Sequence, residues 1–154
     1  MPSFPSQLER AKSDSVLQLL FKAARLWNER ALAVASKTSG ITLRASHTAI
    51  FPHLDLQGTR LTVLASRLGI SKQAVGQLVE ELEGMGVLER TEDETDARAR
   101  LVRFTPRGRK ALMQGLSILK SLEDEVERTI GAKDLGRLHQ NLADMVARAE
   151  AHPK

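Results

Sequence analysis

The sequence predicts a mainly α-helical chain that carries one small β-hairpin. Apolar residues recur every three or four positions through most of its length, which is the spacing of an amphipathic helix. Near the middle, two short helical segments are joined by a tight turn, "LGIS" at residues 68–71. Two short alternating segments, residues 87–90 and 100–104, follow directly. Together these three observations predict a winged helix-turn-helix flanked by helices.

The N-terminal third of the chain is predicted to be helical. Residues 1–5 contain two prolines and are expected to be disordered. The tetrapeptide "SQLE" at residues 6–9 matches a helix capping box, and apolar side chains then follow at helical spacing to about Ala35. A shorter second helix is expected over residues 44–53, where Pro52 interrupts it.

The helix-turn-helix is predicted over residues 58–86 from its capping residues. Thr59 or Thr62 is the expected cap of the first helix, and Gly69 is expected to end that helix in the left-handed conformation. Ser71 then caps the second helix. Two short helices joined by a tight Gly-containing turn are the pattern of a helix-turn-helix.

Two further helices are predicted after the hairpin. Thr105 caps the first of them, and Pro106 occupies its first helical position. The apolar residues of the last helix, which we expect at a dimer interface, are Leu135, Leu138, Leu142, Met145 and Val146. The terminal helices carry more apolar surface than the centre can cover. The first and last two helices should therefore bury against one another and against a second copy of the chain.

These patterns divide the chain into parts with different roles. Residues 1–5 are the disordered N-terminus, and residues 6–40 and 107–150 form a helical dimerisation region. Residues 41–106 form the winged helix-turn-helix lobe. The division predicts a homodimer in which each copy contributes one lobe.

Composition and charge narrow the class of protein. The net charge of +4 permits a polyanionic partner. The chain has no cysteine, which excludes disulfides, thiolate metal sites and a thiol redox switch. No apolar run approaches the roughly 18 residues that span a bilayer, and the first residues lack the pattern of a signal peptide. We therefore expect a cytoplasmic protein without a membrane partner.

The second helix of the helix-turn-helix carries the predicted DNA contacts. Its apolar residues fall on one face, and Lys72, Gln73 and Gln77 fall on the other within the first two turns. Glutamine can pair bidentately with adenine, and lysine with guanine, at base edges in the major groove. Ser71 and the first amides can bind a phosphate, while Gly76 allows the helix backbone to approach DNA closely. A solvated helix face that touches nothing is the alternative.

The tip of the hairpin changes sharply from acidic to basic residues. Arg98 lies where a hairpin beside a recognition helix can reach the minor groove of DNA. Asp96 can hold a guanidinium by a bidentate pair, and Arg100 extends a basic strip toward phosphates. The acids at residues 92–94 must then lie away from DNA or weaken binding. The alternative is a solvated loop with interspersed charges.

The stretch from residue 58 to residue 108 resembles the winged-helix core of the MarR family, the multiple-antibiotic-resistance regulators. The matching elements are "LTVLASRLGIS", "QLVEELEGMGVLER", "DARARLVRFT" with its Asp-x-Arg wing signature, and "TPRG". The resemblance implies a homodimeric transcriptional regulator, expected to be a repressor, on a pseudo-palindromic operator in double-stranded DNA. It also implies that Arg98 is the minor-groove arginine and Asp96 the acid that orients it.

The resemblance further implies a small-molecule effector, often an aromatic acid or a phenol, between the dimer arms and the DNA-binding lobe. The residues that could hold such an anion are Trp27, Arg44, His47, Phe51 and His53. The alternative is that Trp27 and Phe51 are core residues, and that the histidines are surface residues or satisfied core residues. No cofactor and no metal are expected.

Two other classes of function remain open. A metalloenzyme would draw on the four histidines, which are His47, His53, His139 and His152. These histidines are scattered along the chain, and the sequence carries no hydrolase, P-loop or zinc-protease motif. The other class is a dimeric helical module whose winged helix binds protein. Salt dependence distinguishes this module from a DNA-binding protein, because phosphate contacts make affinity for DNA fall steeply as the salt concentration rises.

Overall fold

The computed structural model describes residues 3–93 and 95–152, with the side chains of Ala97 and Arg98 left out. These residues form seven α-helices, a short 3-10 helix and three strands. In chain order the elements are α1 (Phe4–Asp14), α2 (Val16–Ser39), α3 (Ala45–Thr48), the 3-10 helix (Phe51–His53), β1 (Thr59–Arg60), α4 (Leu61–Leu68), α5 (Lys72–Gly84), β2 (Leu88–Asp93), β3 (Asp96–Phe104), α6 (Pro106–Ile130) and α7 (Ala132–Glu150). The predicted fold class, mainly α with a small β-hairpin wing, is confirmed.

The first helix begins earlier than predicted. Helix α1 starts at Phe4, so the expectation of disorder is wrong for residues 4 and 5, while residues 1 and 2 lie outside the described residues. Pro5 is tolerated in the first turn because the amide it lacks would have had no helical partner there. The predicted capping box at residues 6–9 does not form, since the Ser6 hydroxyl donates to the Ser3 carbonyl at 2.8 Å.

The predicted single N-terminal helix is two helices. Ser15 has an extended backbone, with φ −85° and ψ 115°, and its hydroxyl oxygen accepts a hydrogen bond from the Gln18 amide at 3.3 Å. Serine competes for backbone donors in this way, which makes it a better cap than an interior helical residue. Helix α2 then runs past the predicted end to Ser39, and Gly40 closes it at φ 66°.

The helix predicted over residues 44–53 is divided into α3 and the 3-10 helix. Pro52 lies in the 3-10 helix, where it cannot donate the hydrogen bond that would continue α3. The Leu54 amide closes this turn by donating to the Phe51 carbonyl at 3.3 Å. The division turns Phe51 toward the core of the lobe, which it contacts.

The helix-turn-helix forms as predicted, except at its first cap. Gly69 ends α4 at φ 66°, and the Ser71 hydroxyl oxygen accepts a hydrogen bond from the Ala74 amide at 3.1 Å. Both predicted threonine caps of α4 are wrong. Arg60 occupies the capping position, because Thr59 is paired with Val102 in a short strand.

The three strands form one antiparallel sheet in the order β1-β3-β2. The sequence predicted two strands, and it missed β1, which has two residues. Strands β2 and β3 are longer than predicted, because Thr91, Glu92 and Asp93 continue the pairing of β2 with β3 beyond Arg90. We call the hairpin of β2 and β3, residues 88–104, the wing.

A single hydrophobic core fills the lobe. Its buried residues are Ile41, Ile50, Leu64, Ala65, Val75, Val79, Leu82, Val87, Leu88, Val102 and Phe104. The rings of Phe51 and Phe104 meet at 5.4 Å between centroids with an interplanar angle of 60°, a favourable tilted geometry. This core fixes the recognition helix α5 and the wing to one another.

The start of α6 is locked against the end of α5. The Thr105 hydroxyl oxygen accepts from the Gly108 amide at 2.9 Å and donates to the Gly86 carbonyl at 2.6 Å. The predicted cap at Thr105 and the predicted first helical residue, Pro106, are therefore confirmed. A Cβ atom at position 108 would lie 1.9 Å from the Val87 carbonyl oxygen, so only glycine fits there.

The chain divides into two compact units, one up to Gly115 and the other from Leu116 onward. In the first unit, α1 and α2 contain no buried residue among those described, and in the second unit the same is true of α7. The predicted division into a dimerisation region and a lobe remains a prediction. Among the described helices, none combines the length and apolarity needed to cross a bilayer.

Candidate nucleic-acid interface

Helix α5 presents a polar face at its N-terminal end. Val75, Val79 and Leu82 are fully buried in the core and fix the rotation of the helix. The predicted contact residues Ser71, Lys72, Gln73 and Gln77 are all exposed. Burial of the opposite face therefore leaves their side chains directed to solvent, as base readout in a major groove requires.

Gly76 lies on the edge of this exposed face. A Cβ atom there would meet the Leu61 side chain at 3.9 Å, which is ordinary van der Waals contact. Packing within the chain therefore does not require glycine at this position. The predicted role, close approach of the helix backbone to DNA, stays a prediction that alanine at this position can test.

Arg90 links the wing to the recognition helix, and sequence reasoning missed it. Its guanidinium donates to a Glu83 carboxylate oxygen at 2.7 Å and to the Gly76 carbonyl at 3.4 Å. The nitrogen that donates to Gly76 also lies 3.8 Å from a carboxylate oxygen of Glu80. Arg90 therefore ties β2 to two turns of α5. No periodicity in the sequence could have shown this pairing, since it joins a helix to a strand across a turn.

Two acids of the wing pair with two of its arginines across the strands. Arg100 donates to Glu92 at 2.8 Å, and Arg103 donates to Glu89 at 2.8 Å. All four side chains remain substantially exposed. The predicted DNA contact Arg100 therefore already has an acidic partner, which a phosphate would have to displace.

The turn of the wing is held by the buried Asp93. One of its carboxylate oxygens accepts from the Thr95 hydroxyl at 2.6 Å and from the Thr95 amide at 2.9 Å. The other accepts from the Arg60 guanidinium at 2.5 and 2.7 Å. The bonds from Thr95, followed by the bond from Arg60, lower the pKa of the Asp93 carboxyl to about 2.

Asp96 lies across the turn from Asp93, 3.8 Å from a guanidinium nitrogen of Arg60. Arg98 lies in the backbone of β3, but its side chain is outside the described residues, as is the whole of Glu94. The predicted pairing of Asp96 with Arg98 therefore remains a prediction.

Two of the predicted effector residues bind the recognition helix. His47 is 1% exposed, and its Nδ1 accepts a hydrogen bond from the Arg44 amide at 3.1 Å. Nδ1 therefore carries no proton, and the Nε2–H donates to Glu81 on α5 at 2.6 Å. The Arg44 guanidinium bonds the same carboxylate oxygen. The bond from His47, followed by that from Arg44, lowers the pKa of Glu81.

The other three predicted effector residues lie in different surroundings. Phe51 packs in the core against Phe104, and the His53 carbonyl accepts from Arg67 at 2.7 Å. The half-buried Trp27 lies on α2, where the Arg30 guanidinium stands 5.3 Å from its ring centroid. The structure thus joins Arg44 to His47 and packs the half-buried Phe51 against the core, and the assignment of these five residues to an effector site stays a prediction.

The predicted dimer residues of α7 are apolar and largely accessible. Leu138, Met145 and Val146 are exposed, Val146 to 57%, while Leu135 and Leu142 are half-buried. In the other unit, α1 and α2 expose large apolar side chains in the same way, with Phe4 at 75% and Phe21 at 64%. Surfaces of this kind mark interfaces in many soluble proteins.

A closed helix-turn-helix, an exposed polar recognition face and a charged hairpin beside it define a winged helix-turn-helix protein. Residues 39–99 match the family model described as the MarR family. No curated protein matches the chain. Among the residues that the structure describes, no group of three or more histidine, aspartate or glutamate side chains could hold a metal ion.

Several solved structures share this fold. A MarR-family transcriptional regulator from Rhodococcus sp. RHA1 is 21% identical, with a TM-score of 0.67 over 86% of this chain and 93% of that one. The M. tuberculosis regulator MOSR in complex with DNA is 22% identical, with a TM-score of 0.61 over 90% and 98%. CouR from Rhodococcus jostii RHA1, bound to p-coumaroyl-CoA, is 21% identical, with a TM-score of 0.64 over 93% and 96%.

The matched segment contains the whole helix-turn-helix and the wing through Ala99, while the last matching elements of the resemblance, up to Gly108, lie beyond it. Over residues 39–99 the chain is therefore similar to the MarR family, and it shares its fold with solved MarR-family transcriptional regulators. The proteins that this segment and this fold resemble are transcriptional regulators and not enzymes, which disfavours the metalloenzyme alternative.

Proposed function

We propose that the protein is a sequence-specific DNA-binding repressor that acts as a homodimer on a pseudo-palindromic operator. The observation that carries the proposal is the orientation of α5. Its apolar face is locked in the core, and its polar N-terminal turns are exposed beside the wing. A helix held in this way can enter a major groove without rearrangement of the lobe.

The exposed residues of α5 divide into two roles. Gln73 and Gln77 set sequence preference, because a glutamine amide pairs bidentately with the adenine edge. Lys72 mainly serves a phosphate, as does the N-terminus of the helix with Ser71. Replacement of Gln77 by alanine should then narrow the gap between operator and random DNA. Replacement of Lys72 should weaken both about equally and lower the salt slope by about one.

The wing supplies a second contact to the same half-site. Arg98 enters the minor groove, where the negative potential of a narrow A·T-rich segment attracts a guanidinium. Asp96 orients that arginine, and Arg100 exchanges its acidic partner for a phosphate. The continuous backbone of β3 supports this arrangement, since it carries all three residues along one strand.

Two copies of the chain are needed for a full operator. The exposed apolar side chains of α1, α2 and α7 support a dimer that buries them. A two-fold axis would place two recognition helices about 34 Å apart, one turn of DNA, so that both enter successive major grooves on one face. Dimerisation is then a condition for operator binding, and the protein is proposed to act in the cytoplasm.

A small aromatic acid or phenol is the proposed effector, and of the five residues assigned to its site only Arg44 and His47 are hydrogen-bonded to each other, beside α5. The bond network from Arg44 and His47 to Glu81 supports this proposal, because Glu81 belongs to α5. An anionic ligand that competes with Glu81 for Arg44 would release this hold on the recognition helix. The complex of CouR with p-coumaroyl-CoA shows that a protein of this fold can accept an aromatic acyl ligand.

A binding titration tests the proposed function. The probe is a duplex selected from a random pool by the wild-type protein, compared with a scrambled duplex over a range of salt concentrations. We expect preference for the selected duplex, a steep fall in affinity with salt, and a loss of about 1–3 kcal/mol for Arg98→Ala. Arg128→Ala on α6 is the control of equal charge change.

Two results would contradict the proposal. Equal affinity for selected and scrambled duplexes would remove sequence specificity. Absence of salt-sensitive DNA binding altogether would instead favour the helical protein-interaction module. Equal affinity of Arg98→Ala and wild type, with all else as expected, would remove only the wing from the mechanism.

A further inference from the structure

Arg60 holds the turn of the wing from outside the hairpin. Its side chain crosses from the start of α4 to Asp93, with two nitrogen atoms 2.5 and 2.7 Å from one carboxylate oxygen. A third contact reaches Asp96 at 3.8 Å. Arg60 therefore contacts the wing on both sides of its turn. We call Arg60, Asp93 and Thr95 the wing clamp.

The clamp completes the hydrogen bonding of a buried charge. Asp93 is 8% exposed, and a buried carboxylate is costly unless it is both paired and hydrogen-bonded. Thr95 donates to one carboxylate oxygen from within the turn, and Arg60 donates to the other from the end of β1. Without Arg60, the turn would have to bring Asp93 back to water, which changes the shape of the tip.

Arg60 is itself firmly placed. Its backbone pairs with Leu101 of β3, and it occupies the capping position of α4. One residue therefore belongs to the sheet and to the helix-turn-helix, and it contacts the tip of the wing. Arg60 therefore connects the wing tip to the sheet and to the helix-turn-helix that carries the recognition helix.

We propose that Arg60 is a positioning residue for DNA recognition, which sets where the wing tip, and with it Arg98, meets the minor groove. The inference rests on the proposed function. A tip that is ordered before binding does not have to be ordered at the expense of binding free energy. The core of the lobe does not include the clamp, so its loss should leave the lobe folded while the wing becomes less ordered.

Four variants test the clamp, each with a matched purpose. Arg60→Gln removes the guanidinium, Arg60→Lys keeps the charge, Asp93→Asn keeps the shape of the acceptor, and the double variant combines Arg60→Gln with Asp93→Asn. The control is Arg67→Gln, which removes an arginine of the same lobe that binds Asp55 and the His53 carbonyl and not the wing. Thermal melting confirms that each variant is folded before its affinity is measured.

The first measurement is affinity for the duplex selected by the wild-type protein. We expect Arg60→Gln and Asp93→Asn each to bind about tenfold more weakly, the scale of ordering one backbone residue. The double variant should bind no more weakly than either single variant, because both changes break the same contact. Arg60→Lys should recover part of the loss, and Arg67→Gln should bind like the wild type.

Two further measurements separate positioning from general stability. Replacing A·T by G·C pairs at the outer flank of each half-site should cost the wild type affinity and cost Arg60→Gln much less. Discrimination at the central positions read by α5 should persist in both. Hydrogen exchange of the amides from Thr95 to Arg100 should quicken in Arg60→Gln, while that of α5 stays unchanged.

The inference is overturned if a folded Arg60→Gln binds the selected duplex and discriminates at the flanks as the wild type does. Additive losses in the double variant, or an equal loss in Arg67→Gln, would also overturn it. Failure of the proposed function gives a different result, since the wild type would then not distinguish selected from scrambled duplexes. Hydrogen exchange would in that case still report whether Arg60 orders the wing.

Discussion

The lobe, residues 41–106, and the helical arms, which we define as α1, α2 and α7, use their apolar residues in different ways. Within one chain, the lobe buries eleven side chains in a single core. The arms bury none among the residues that the structure describes, although their stripes are just as regular. The lobe therefore completes its structure within one chain, whereas the arms present apolar surface that a partner can cover.

The difference between lobe and arms matches two separate tasks, DNA contact and association of chains. The side chains of α5 must keep their direction whatever happens elsewhere, and a closed core provides that. In the proposed dimer the arms recognise a second copy, and exposed apolar stripes on long helices suit that task. Under this account, substitutions in the lobe lower the stability of each chain, and substitutions in the arms change the affinity between chains.

The largest expected effect is that of Leu138→Asp in an arm. The change occurs twice in a two-fold dimer, so it should cost about 3–6 kcal/mol of association free energy, from about 1.5–3 kcal/mol for each leucine. Sedimentation equilibrium should show a dissociation constant raised at least about a hundredfold, with DNA affinity lowered in parallel. Gln140→Glu, on the opposite face of α7, should leave the dimer unchanged. A Leu138→Asp variant that remains fully dimeric would contradict the account that the arms join two chains.

The next effect is that of Gly108→Ala in the lobe. A methyl group would meet the Val87 carbonyl oxygen at 1.9 Å, so the end of α5 or the start of α6 has to shift. We expect a loss of about 2–4 kcal/mol in the free energy of unfolding, measured by chemical denaturation. Gly115→Ala on the same helix has no neighbour within 4 Å and should instead stabilise the chain slightly. Equal effects of the two variants would show that the junction is not tight.

Gly76→Ala separates stability from DNA contact within the lobe. Alanine has room at this position and is a better helix former, so the free energy of unfolding should rise by about 0.5–1 kcal/mol. If the helix backbone approaches DNA here, affinity for the selected duplex should fall despite the gain. Gly84→Ala, at the far end of α5, should not affect binding. A Gly76→Ala variant that binds the selected duplex as tightly as the wild type would rule out close approach of the helix backbone to DNA at this position.

The smallest expected effect is that of Glu92→Gln on the wing. Arg100 would no longer exchange an acidic partner for a phosphate, and an exposed pair of this kind is worth about 0.2–1 kcal/mol. Affinity for the selected duplex should therefore rise up to about fivefold at low salt. Glu89→Gln removes the same charge from the opposite face of the hairpin and should have less effect. A fall in affinity for Glu92→Gln would show that the pair assists binding.

Local signals in the sequence predicted much of the lobe. Ser71 and Gly69 mark the two sides of the turn because each acts through its own backbone, as a cap and as a left-handed residue. Thr105 and Pro106 mark the start of α6 for the same reason. The exposed face of α5 could be predicted from periodicity, because the core selects the apolar face of a helix.

Contacts between distant residues could not be predicted. Strand β1 has only two residues and exists because β3 lies beside it, so no alternation could reveal it. Arg60 and Asp93 are 33 residues apart, and His47 and Glu81 are 34 apart. The break between α1 and α2 at Ser15 was missed for another reason. Apolar spacing continues across it, and its only local mark is one serine, whose hydroxyl oxygen caps α2 by accepting from the Gln18 amide.

The central claim is that two closed lobes read one operator because their arms join two chains. Sedimentation velocity of the protein with a duplex selected from a random pool tests it most directly. The account predicts a dimer at micromolar concentration, a complex of two chains per duplex, and selected sequences whose half-sites are centred about one turn of DNA apart. A stable monomer that binds a full pseudo-palindrome tightly, with one chain per duplex, would contradict it.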